Sequence, residues 1–126
     1  MDNKAIISIG SNTNRTENIQ KVIEILQANY PRSRFSTPEI TDPIDLPEGA
    51  KAFLNLVAMV PTNLDKEEFV SQLKSIEEDL GRDDDDEEEG IIPIDLDLIK
   101  WNEDVLKPRD FIRPYMVSGL EEIDEF

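Results

Sequence analysis

Phe53-Leu54-Asn55-Leu56-Val57-Ala58-Met59-Val60 is the stretch from which the fold is read. It is apolar, rich in aliphatic residues and too short for a stable helix, so it reads as a strand with a buried face. Toward the C-terminus, Asp65 and Glu68 form a helix-capping pair. Phe69, Leu73, Ile76 and Leu80 then line one helical face, and Gly81 ends that helix with a left-handed cap. Next comes the acidic run DDDDEEE from Asp83 to Glu89, which cannot pack against itself and reads as a solvated, mobile loop over residues 82–90. Ile91 to Trp101 is a further strand.

Toward the N-terminus, two prolines and a glycine make Asp42 to Gly49 a loop, and Arg32 to Thr41 is a strand that Pro38 confines to a sheet edge or a bulge. Ile19, Val22, Ile23 and Leu26 mark a helix, capped by Asn14 and Glu17 and stopped before Pro31. Lys4 to Ser11 is a buried strand. The order β-α-β-β-α-β predicts a single α+β domain over residues 1–126. Its expected arrangement is a ferredoxin-like antiparallel sheet with both helices on one face and a short C-terminal extension bearing one helix.

Composition narrows the chemistry. Among 126 residues there is no cysteine and no histidine, so thiolate or imidazole ligands and a histidine acid/base are excluded. Any metal must be held by oxygen, which favours a hard ion such as magnesium. The net charge of −16 repels nucleic acid and anionic membrane. No apolar run approaches the roughly 20 residues of a bilayer span. With no signal-peptide pattern at the start, a cytoplasmic location is expected, as a monomer or weak homodimer.

Three groups of residues are candidates for chemistry. In Ile94-Asp95-Leu96-Asp97-Leu98 the strand alternation puts three aliphatic residues on one face and both aspartates on the other. Two carboxylates so spaced can converge on a divalent ion; a half-exposed strand with an acidic solvent side explains the pattern equally well. Phe53 and Asn55 share a face, an aromatic ring beside an amide that suits a flat heterocycle, or else a core Phe and a turn Asn. Arg82, Arg109 and Arg113 are scarce cations able to grip phosphate oxygens, or to serve as surface ion-pair partners. The turn Gly10-Ser11-Asn12 lacks P-loop spacing and reads as structural.

In order along the chain, IISIGSN, Thr41-x-Pro43-Ile44, Phe53-Leu54-Asn55, IEEDLGR ending at Arg82, Ile94-Asp-Leu-Asp-Leu and Arg113-Pro-Tyr-Met-Val resemble the hydroxymethyl-dihydropterin pyrophosphokinase family. The resemblance covers nearly the whole chain and implies a ferredoxin-like core. It also implies transfer of pyrophosphate from ATP to 6-hydroxymethyl-7,8-dihydropterin, releasing AMP, with two magnesium ions held by Asp95 and Asp97. On the same footing, Phe53 and Tyr115 flank the pterin ring, and Asn55 reads its edge with Thr41, Pro43 and Ile44. Glu77, Arg82, Arg109 and Arg113 belong to the nucleotide side, with Arg82 counted as catalytic. The chain departs from the family in being short, in carrying DDDDEEE where basic residues are usual, in Ile92 where an arginine is usual, and in Pro108-Arg109 where a Pro-His pair is usual. These departures motivate two other readings: an impaired relative that binds a pterin or nucleotide as a sensor, and an acidic module whose run binds a basic partner or calcium.

Overall fold

A computed structural model describes residues 2–125. Strand β1 (Asn3–Ser11) leads into helix α1 (Arg15–Asn29). Two short strands follow, β2 (Arg34–Phe35) and β3 (Glu39–Thr41), and then the long β4 (Phe53–Thr62). Helix α2 (Lys66–Asp79) and the short α3 (Asp84–Glu88) precede β5 (Asp95–Trp101) and β6 (Asp104–Val105). The chain closes with α4 (Pro108–Phe111) and α5 (Pro114–Glu122).

The sheet is open and antiparallel, in the order β2-β4-β1-β5-β6, with β3 also paired to β4. The expected strand over 32–41 is thus two pieces. Both pair with β4, Arg34 opposite Met59 and Glu39 opposite Asn55, and Ser36 to Pro38 lie between them. Proline has no N–H to give a ladder, which is why pairing lapses there.

Alternation on the strands builds two cores. Ile7, Ile9, Leu56, Ala58, Ile94, Leu96 and Leu98 pack with Ile19, Val22 and Leu26 of α1 and Phe69, Leu73 and Ile76 of α2. The opposite face carries Ile6, Val57, Met59 and Ile99 against Met116 and Leu120 of α5 and the adjoining Ile123. The C-terminal extension is therefore a covering layer as well as a tail. Helices lie on both faces of the sheet, and α1 and α2 share one of them as expected. Gly119 permits the close approach of α5, since a Cβ there would come within 2.7 Å of Val57 Cγ2.

Helix ends follow local chemistry with one exception. Asp65 caps α2 by accepting the Glu68 N–H at 2.8 Å. At the other end Gly81, with φ +91, returns its N–H to Glu78 O, while Arg82 N–H reaches Glu77 O, the paired bonds of a Schellman stop. The cap expected at Asn14 and Glu17 does not form. Asn14 has φ 44 and makes no side-chain cap bond, because the turn out of β1 needs a left-handed residue, a conformation asparagine tolerates. The acidic run, expected as loop, instead forms α3 over Asp84–Glu88, with the Asp83 side chain accepting the Asp85 N–H.

Candidate active site

The α5 layer covers only part of its sheet face. Where it stops, Asp95 and Asp97 of β5 project on the side opposite the Leu96 and Leu98 core, as the alternation predicts. Two clefts meet on this pair. One, of about 480 Å³, is lined by Thr41, Ile44, Phe53, Asn55 and Tyr115 along with both aspartates. The other, of about 940 Å³, runs beyond the edge of β5 toward α2 and α3 and holds Glu77, Arg82 and Lys107 with the same two aspartates.

The aromatic cleft is shaped by neighbours of the predicted residues. Asn55 donates its amide to Thr41 Oγ1. Asn55 also lies directly over Gly10, where a Cβ would stand 2.4 Å from its Oδ1, so the turn glycine makes room for that amide. Tyr115 shares a 2.6 Å hydrogen bond with Ser8 Oγ. Burial raises the Tyr115 phenol above its usual pKa, against the opposing effect of the Ser8 bond, so it stays neutral at physiological pH.

The larger cleft is an ion-pair network around Arg82. Its Nη1 donates to Glu77 at 2.7 Å and Asp95 at 2.8 Å, and its Nη2 donates to Glu87 at 3.0 Å. Burial disfavours the guanidinium charge, but the Asp95 hydrogen bond and the charges of Asp95, Glu77 and Glu87 outweigh it and raise its pKa. Burial and the neighbouring Asp97 charge push Asp95 up to about 6, although Arg82 pulls the other way. Lys107 Nζ holds Asp97 at 2.9 Å; burial disfavours its charge most, but the Asp97 bond and the charges of Asp97, Asp95 and Asp110 together outweigh it, so its ammonium is favoured.

Most of the predicted residues converge on these two clefts. Glu77 and Arg82 stand in the larger one, and Thr41, Ile44, Phe53, Asn55 and Tyr115 in the aromatic one. Arg113, expected toward a nucleotide, lines the aromatic cleft and pairs with Asp110 at 2.8 Å. Pro43 and Arg109 line neither. Lys107 and Ser8 are the side chains that sequence reasoning passed over. A bulge at Ile99 shifts the β1–β5 register, and Ile99 O accepts the N–H groups of both Leu106 and Lys107, which brings the lysine beside Asp97. Nothing in the local sequence signals that bulge.

Two adjacent carboxylates, one of them costly to ionise, suit a hard divalent cation. Among the described residues no group of three or more acidic side chains is placed to hold a metal by itself. That donor set fits magnesium, which usually takes one or two carboxylates and completes its shell with substrate phosphates and water.

The family model described as 7,8-dihydro-6-hydroxymethylpterin-pyrophosphokinase (HPPK) matches residues 6–125. The chain belongs to that family. The "Folate synthesis bifunctional protein" of Arabidopsis thaliana is 28% identical over 138 residues, which take in 96% of this chain and 28% of that protein. The chain thus spans little more than a quarter of the length of that curated relative. No helix among the described residues is long and apolar enough to cross a membrane.

Proposed function

We propose that this chain transfers pyrophosphate from ATP to 6-hydroxymethyl-7,8-dihydropterin on a ferredoxin-like core. The sheet order, with β1 and β4 central and α1 and α2 on one face, supports that core. The observation that carries the function is the position of Asp95 and Asp97 at the junction of an aromatic-amide cleft and a larger cleft holding Arg82 and Lys107. The flat pterin belongs between Phe53 and Tyr115, with its edge on Asn55 and Thr41. The polyphosphate belongs on the side of Arg82 and Lys107.

In the reaction the pterin hydroxyl oxygen bonds to the β-phosphorus, the bond from that phosphorus to the α-phosphate bridging oxygen breaks, and AMP leaves as the hydroxyl proton is lost. Such transfers need positioning and charge neutralisation more than covalent help. Asp95 and Asp97 would hold magnesium, two ions in this reading, which supplies neutralisation of phosphate charge when bound. Phe53, Asn55 and Tyr115 orient the acceptor. Lys107 supplies a cation beside Asp97, whereas Arg109, expected on the nucleotide side, lines neither cleft.

The protein incubated with magnesium, ATP and the pterin alcohol should release AMP. Asp97→Asn should lower the rate by at least about a hundredfold, the scale of losing a key electrostatic group. Wild-type AMP release no greater than that of Asp97→Asn would end this assignment.

A further inference from the structure

The acidic run, though mostly exposed, lines part of the larger cleft with Asp83, Asp84, Asp85 and Glu87. Eight acidic side chains and four basic ones line that cleft. An incoming polyphosphate therefore meets a negative wall whose deepest cation, Arg82, is already engaged by three carboxylates. Those three are not equivalent. Glu77 has a second duty, since its Oε2 also accepts the Leu96 N–H at 2.8 Å. Asp95 sits on β5 itself. Glu87 makes no other side-chain hydrogen bond among the described residues, and its side chain is 40% exposed. Its helix α3 buries no residue of its own. The run is held at its far end by Asn12, whose amide donates to Gly90 O at 2.7 Å and whose Oδ1 accepts the Ile92 N–H at 2.7 Å.

We propose that Glu87 is an intramolecular competitor for the polyphosphate, a carboxylate lying on the Arg82 guanidinium in the place a phosphate oxygen takes. This rests on reading the larger cleft as the polyphosphate side. A carboxylate and a phosphate oxygen present the same acceptor geometry to one arm of a guanidinium, so the two exclude each other at Nη2. Glu87 then sets the affinity threshold of the cleft, and a magnesium-bound polyphosphate gains entry by displacing it while the tether at Asn12 keeps the run close.

Calorimetry with inorganic tripolyphosphate and magnesium tests the competition without turnover, using the full chain. Glu87→Gln should bind about two- to fivefold tighter than wild type, the scale of one partly exposed ion pair released. Glu89→Gln removes the same charge from an exposed position outside the cleft and should bind like wild type. Equal or weaker binding by Glu87→Gln, or equal tightening by Glu89→Gln, overturns the competition. AMP release measured in parallel separates the two readings. Normal AMP release with unchanged Glu87→Gln affinity removes only the competitor, whereas tightened affinity without AMP release upholds it and removes the pyrophosphokinase reading.

Discussion

Asp95 is the residue at which the cost of the site is most visible. Its carboxyl is pushed from 3.8 to about 6, first by burial and then by Asp97, even with Arg82 in contact. A folded-state pKa above the unfolded value means the folded protein binds a proton that the unfolded chain releases. Ionising Asp95 therefore lowers stability as pH rises from about 4 to about 6, and the loss persists at neutral pH. Asp95→Asn should accordingly melt above wild type at pH 7, with the gap closing toward pH 4. The side chain keeps 35% of its exposure, so solvent screens part of the effect. Melting curves that run parallel across this range would show that the strain is absent. The pairing of Asp95 with Asp97 was legible from alternation alone. Their mutual repulsion follows from that pairing, whereas the burial that raises Asp95 furthest depends on the surrounding fold.

At the scale of elements, the readable features are those whose cause lies within a few residues. The Asp65 cap, the Gly81 stop and the aliphatic stripe of α2 are of this kind. The failed cap at Asn14 shows the limit, since the turn from β1 overrode the local motif. The bulge at Ile99 that positions Lys107 and the clamp formed by Asn12 both join segments far apart in sequence. Asn12 is 3% exposed and bonds Gly90 and Ile92, about eighty residues away. Asn12→Ala strips a buried carbonyl and a buried N–H of their partners, which should cost about 2–4 kcal/mol. Chemical denaturation checks the size, and hydrogen exchange should show residues 90–92 losing protection before the central strands do. Unchanged exchange there would mean the clamp is dispensable.

For the whole molecule, the governing quantity is a net charge of −16. Most anion-binding proteins lose association rate as salt is added, because a positive field steers the ligand. Here the long-range field is repulsive and only the local cations attract. The association rate of magnesium–ATP should rise as monovalent salt goes from about 10 to about 150 mM, over which the Debye length shrinks from about 30 to about 8 Å. Stopped-flow binding measures this directly, and a rate that falls with salt would show that the cations of the cleft dominate at distance.

Local residue patterning accounts for the alternation of helices and strands, the two faces of each strand and the pairing of acids on β5. Those depend on backbone periodicity and on which residues avoid water, both written locally along the chain. Packing decided that α5 covers the second sheet face but stops short of Asp95 and Asp97, that Lys107 meets Asp97, and that the acidic run lies on Arg82. The ion pairs join residues only five and ten apart, but the turns and the bulge that aim them are set by how β5 and the acidic run pack, and no local pattern encodes that geometry.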